Sequence, residues 1–144
     1  MWKSLILRQT KECEFAPPAT RSQVASAEQS LGVEFPECLR TLLTESGGVT
    51  GEYGLDIVWP IERIVADNLS FRTNEEFPEL YMPFDHLLFF SDAGDGDQFA
   101  FAINAGVIRR PDVFAWDHEN DSRNWIAPSL EKYLEWWLAG RLKP

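Results

Sequence analysis

The chain has 144 residues, 44 % hydrophobic, with six Trp and ten Phe, which places it among single globular domains with room for a proper core and excludes a disordered chain. Its 13 Lys and Arg against 23 Asp and Glu give a formal charge of −10, which disfavours nonspecific binding to nucleic acid or an anionic membrane and favours encounter with a basic partner. No stretch reaches the roughly 20 apolar residues of a membrane span, and Leu5-Ile6-Leu7 is too short for a signal-peptide core, so a cytoplasmic location is expected.

Residues before Pro17-Pro18 read as a short lead-in, a strand or an arm. Cys13 and Cys38 have no metal-ligand spacing. Two cysteines allow one disulfide, but the reduced form is the simpler reading. Thr20 and Gln23 make a capping-box pattern, and Val24, Ala27 and Leu31 continue it as a helical stripe. Gly32 suits the left-handed position that ends a helix. Pro36 suits the start of the next one, where Leu39, Leu42 and Leu43 share a face that Phe35 closes. Gly47 or Gly48 then lets the backbone leave.

A Gly-rich turn and a strand over Leu55–Trp59 follow. Pro60 opens a helix whose stripe is Ile61, Ile64, Val65 and Leu69. Residues 72–83 hold two prolines and little periodicity, as a loop does. Leu87–Phe90 is a buried strand, Asp92–Asp97 a turn, and Gln98–Ile103 a strand with Phe99, Phe101 and Ile103 on one face. Asn104-Ala105-Gly106 turns the chain, and Val113–Trp116 is a further strand. Leu130, Tyr133, Leu134, Trp137 and Leu138 make the last amphipathic helix, stopped at Gly140. Helices first, a central antiparallel meander and a closing helix define an α+β fold, with N-terminal and C-terminal helices covering the sheet.

The ordered set of motifs resembles the SMI1/KNR4 family, also called the SUKH superfamily. Leu31–Gly48 (LGVEFPECLRTLLTESGG) is similar to its opening helix corner. The family's usual Leu-Pro is Phe35-Pro36 here, and its common Asn-Gly helix stop is Ser46-Gly47. Phe89–Phe101 (FFSDAGDGDQFAF) resembles its strand, Gly/Asp turn and strand. Val113–Glu119 resembles its third strand and acidic turn, and Ile126–Leu134 its closing helix. The resemblance spans about residues 20–138 and implies one SMI1/KNR4-like domain over 1–144. It also implies a non-enzymatic binding role. Many bacterial members are immunity proteins that neutralise a cognate polymorphic or contact-dependent toxin. Others are fungal cell-wall synthesis regulators.

The residues themselves favour binding over catalysis. No GxSxG, HExxH, P-loop or GxGxxG pattern is present, so no cofactor is expected. The DAGDGD loop fails the calcium-loop pattern, because Gly94, Gly96 and Ile103 stand where ligands are needed, so no metal is expected either. His118, beside Asp117 and Glu119, offers a general base for a small hydrolase-like enzyme, but no nucleophile accompanies it. Between Thr73 and Ile108 there are seven acidic residues and no Lys or Arg. If the strands form a meander, the Asp92–Asp97 and Asp117–Asp121 turns meet as an acidic rim. The expected contact surface is therefore Asp92, Asp95, Asp97, Trp116, Asp117, Glu119 and Asp121. Its expected partner is a protein, a basic toxin domain such as a nuclease, and not nucleic acid or membrane.

Overall fold

The computed structural model describes residues 1–142. Five α-helices and seven strands follow the order α1 (Trp2–Gln9), β1 (Glu14–Phe15), α2 (Arg21–Leu31), α3 (Glu37–Glu45), β2 (Val49–Thr50), β3 (Asp56–Val58), α4 (Ile61–Thr73), β4 (Leu87–Asp92), β5 (Gln98–Ala102), β6 (Val113–Trp116), β7 (Arg123–Ala127) and α5 (Leu130–Leu138). β4-β5-β6-β7 is an antiparallel meander, and β1-β2-β3 is a small second antiparallel sheet. The fold is α+β, as the residue pattern anticipates.

The lead-in is mostly the helix α1, with the short strand β1 after it, so the expected strand is confined to Glu14–Phe15. Trp2, Leu5 and Ile6 are buried on one side of α1. Its N-terminal cap comes from far along the chain: the Glu45 carboxylate accepts from Trp2 N at 3.2 Å and Lys3 N at 2.6 Å, and pairs with the terminal amine at 3.1 Å. The capping box at Thr20 and Gln23 forms with both bonds, and Gly32 ends α2 at φ 67°. Glu28 ties the α2–α3 corner, accepting from Phe35 N at 2.6 Å and Arg40 Nε at 2.9 Å. The Gly-Gly exit is forced by close packing. A Cβ on Gly47 would lie 2.5 Å from Pro17 O, and one on Gly48 2.9 Å from Pro60 Cα.

Side chains alternate across the meander. Phe90, Phe99 and Phe101 face α5, where Tyr133 lies 4.7 Å from Phe99 and 5.6 Å from Phe90 between ring centroids. Phe89 and Trp116 face α4 and its following turn, in a cluster with Phe71, Phe77, Tyr81 and Phe84. The Tyr133 hydroxyl shares a 2.7 Å hydrogen bond with Ser91, whose hydroxyl also donates to Ile57 O at 2.6 Å. Neither polar group is left unpaired in the core.

Two expectations are corrected. On α4, Leu69 is 37 % exposed while Asn68 is buried at 1 %. Asn68 turns inward because its amide meets the Phe89 backbone in both directions, donating to the carbonyl and accepting from the N–H, each at 2.9 Å. The segment taken to open the closing helix is instead strand β7, paired with β6. α5 begins at Leu130, where Ser129 Oγ accepts from Lys132 N at 3.1 Å as the cap. No helix among the described residues is long and apolar enough to cross a membrane.

Candidate functional site

The β4–β5 and β6–β7 turns meet, and one side-chain pair joins them. Asp97 Oδ1 lies 2.6 Å from His118 Nδ1 and accepts from His118 N at 3.1 Å. The imidazole sits flat enough on Gly96 that a Cβ there would come 2.9 Å from Cε1. Gly96 has φ +104°, so this seat needs glycine both for space and for backbone conformation. From the other side, Tyr81 Oη donates to His118 O at 3.1 Å. The hydrogen bond to Asp97 raises the His118 pKa, burial opposes it, and the charges of Asp97, Glu119 and Asp117 add to the rise.

The seven acidic and aromatic candidates divide into two groups. Trp116 is 4 % exposed, packed against Phe71, Tyr81, Phe84 and Phe89. Its indole N–H donates to Asp121 Oδ1 at 2.8 Å, so its ring belongs to the core and not to a contact surface. Asp121 also accepts from Met82 N and pairs with Arg123 Nη2 at 3.0 Å. Asp97 is held by His118. Asp92 is held by Arg63, which also pairs with Asp56 at 3.0 Å and Asp67 at 2.9 Å and lies 4.0 Å over the Trp59 ring. These four residues are engaged within the fold: Trp116 is buried, and the buried or half-buried carboxylates of Asp92, Asp97 and Asp121 meet cations or donors that offset lost hydration. Asp95, Asp117 and Glu119 remain. Asp95 and Glu119 are exposed and Asp117 half-buried, and among the described residues none of the three ion-pairs with Lys or Arg.

The fold adds residues that a linear reading missed. Tyr53 is fully exposed and stands at φ 59° in a turn flanked by Gly51 and Gly54. Left-handed backbone at an aromatic residue is uncommon. An aromatic between two glycines was the available signal. With Glu52, Leu55, Asp92, Gly94 and Gly96, Tyr53 lines an open cleft of about 580 Å³. Glu12 faces Glu52 closely enough that the shared hydrogen bond and the like charge raise the Glu52 pKa. The acidic surface therefore runs from Glu12 and Glu52 past Asp95 to Asp117 and Glu119.

Chemically, the site is poor in reacting groups. His118 pairs with Asp97, not with Asp117 or Glu119, and Asp117 Oδ1 instead accepts from Glu119 N at 2.8 Å. No hydrogen bond among the described residues joins its other ring nitrogen to a hydroxyl or thiol. Neither Cys13 nor Cys38 is in a disulfide, and burial pushes Cys38 up to about 11, so it stays protonated at neutral pH. Asp97, Asp117 and His118 gather three donor atoms within 4.8 Å of one another. The 2.6 Å Asp97–His118 contact is a hydrogen-bond length, shorter than the spacing two ligands of one tetrahedral ion would keep.

Among curated proteins nothing matches the chain. The SMI1-KNR4 cell-wall family, SUKH_6, matches residues 21–134, more than three quarters of its length. The match starts at the first residue of α2 and ends inside α5, so it contains both sheets except β1 and both turns of the acidic surface. The chain belongs to the SMI1/KNR4 (SUKH) family.

Proposed function

We propose that this protein is a binding domain without catalytic activity, an immunity protein that neutralises a basic toxin domain, such as a nuclease, by covering its phosphate-binding site. The observation that carries the reading is the Asp97–His118 bridge, which brings two acidic turns together and leaves Asp95 and Glu119 exposed and Asp117 half-buried, with no cation paired to them among the described residues. A basic active site selected to hold phosphates is electrostatically complementary to such a surface, and a chain of charge −10 is steered toward it. Tyr53 supplies the apolar contact that anchors such interfaces. The enzyme reading around His118 is weaker, because its ring is engaged by a structural carboxylate and lacks a nucleophile within reach.

The test is capture from the source organism with the whole protein as bait. The captured protein is then identified, and its toxicity is assayed with and without the bait. A basic protein released by salt and silenced by the bait supports the reading. Charge reversal by Asp95→Lys with Glu119→Lys is expected to weaken capture about a hundredfold or more, by the magnitudes of interfacial charge pairs, while the circular dichroism is unchanged. Equal capture by this variant would overturn the assignment of the acidic surface.

A further inference from the structure

The two edges of the meander are finished differently. On β4 the edge is closed, since Asn68 satisfies both backbone groups of Phe89 at 2.9 Å and Trp59 N donates to Phe90 O at 2.8 Å. On β7 nothing comparable lies outside the strand among the described residues. Asp117 N donates to Ser122 O at 2.9 Å, which makes that pair a hydrogen-bonded one. Alternation along the β6–β7 register then turns Asn124 toward β6, and turns the backbone N–H and C=O of Arg123 and Trp125 away from it. Trp125 is 52 % exposed. It shares a strand face with Arg123, whose guanidinium donates to Met82 O and Pro83 O at 2.9 Å. Met82 is itself 58 % exposed, so an apolar strip runs beside the open edge.

We propose that this edge joins a second copy of the chain, with β7 pairing antiparallel to its own counterpart about a two-fold axis through Asn124. In that register both outward-facing residues are used. Arg123 stands opposite Trp125 of the second copy, and the reverse, so four backbone hydrogen bonds form. The side chains match as well. Each Trp125 ring covers the Met82–Pro83 strip and the outer face of an Arg123 guanidinium, a cation–π arrangement. Asn124 meets itself and Ser122 meets Ile126, so no like charges are opposed. The register shift at Val113/Phe114 puts a bulge after Trp125, which stops the pairing from running further and favours a closed pair over an open stack.

Charge does not forbid the pair. The sheet is four strands wide, so roughly 14 Å separates β4 from β7, more than the Debye length of about 8 Å at physiological salt. The remaining repulsion comes from Asp117 and Glu119 at the near end. Salt therefore tightens this dimer, the opposite of its effect on a basic partner. The contact is small, which places association in a weak range.

Sedimentation of the whole protein from about 10 µM to about 1 mM, at low and high salt, tests the pairing. Hydrogen exchange is followed at the Arg123 and Trp125 amides. The expected result is a dimer that grows with concentration and with salt, protects those two amides, and weakens at least about tenfold in Trp125→Glu. A monomer at every concentration with both amides freely exchanging overturns the proposal. So does a dimer indifferent to Trp125→Glu, or protection that appears only when a different protein is added.

Discussion

Replacing Arg63 by alanine tests whether one cation holds the base of the acidic loop. Its guanidinium reaches Asp56 at 3.0 Å, Asp67 at 2.9 Å and Asp92 through two nitrogens, one at 2.9 Å, and stacks on Trp59. Burial alone would lower the Arg63 pKa, but the bonds to Asp92, Asp67 and Asp56 outweigh it and raise it. The side chain is 29 % exposed, Asp92 17 % and Asp56 20 %. Removing one partner of a buried ion pair costs about 3–5 kcal/mol, and discounting for this exposure leaves about 2–3 kcal/mol. At about 2–4 °C per kcal/mol for a domain of this size, Tm falls by about 5–10 °C.

Without the cation the three carboxylates repel one another, which adds to the loss at neutral pH. Thermal and urea unfolding of the wild type, Arg63→Ala, Arg63→Lys and Arg63→Ala with Asp92→Asn separates the contributions. Lysine recovers part of the charge but not the forked bonds or the stacking. Asp92→Asn recovers stability only in the alanine background. A Tm for Arg63→Ala within about 1 °C of wild type, with no effect of Asp92→Asn, would show the cluster to be an ordinary solvated network.

Two further predictions address the turns and the helix corner. Gly96→Ala forces a methyl group to 2.9–3.0 Å from the His118 ring at φ +104°, so the ring swings off Asp97; NMR titration should find its pKa moved back toward about 6.5, and stability reduced by about 1–3 kcal/mol. Because the wild-type His118 pKa is raised, its pairing stabilises fully below about pH 6.5 and is lost as pH rises through the folded value. Glu45 is the opposite case: burial would raise it, but bonds from Lys3 N, the terminal amine and Trp2 N lower it. Its contribution is present above about pH 4.5 and is lost on acidification below it, so Glu45→Gln should cost about 1 kcal/mol at neutral pH and nothing in strong acid, by urea melts.

What was legible in the sequence was local. The capping box at Thr20, the left-handed Gly32, and the strands Gln98–Ala102 and Val113–Trp116 are each set by neighbours within a few residues. What was not legible was held from a distance. α1 is eight residues long and too short to stand alone in water; its cap is Glu45, 42 to 44 residues away. Asn68 looks like a surface residue until β4 presents a backbone for its amide. β7 reads as polar, with Arg123, Asn124 and exposed Trp125, because only one of its edges is paired. The acidic candidates show the same limit. Charge density picks out the segment, but Asp92, Asp97 and Asp121 differ from Asp95 only in meeting Arg63, His118 and Arg123, none of which periodicity connects to them.

That division bears on how such a surface serves recognition. The inward acids cannot change without loss, since each offsets a cation or a buried donor. The outward positions Asp95, Glu119, Glu52 and Tyr53 contribute little to the core, and substitutions at exposed sites of this kind usually stay within about ±0.5 kcal/mol. Asp95 is the partial exception, because its carboxylate also accepts from Asp97 N at 3.0 Å. Arg63 and the Asp97–His118 bridge fix where the turns stand, while in the proposed binding role the tips are what meets the partner. A binding protein built this way can be re-aimed at a different basic surface by changing tip residues alone, because the interactions that position the turns lie one or two residues away from those that would meet the partner.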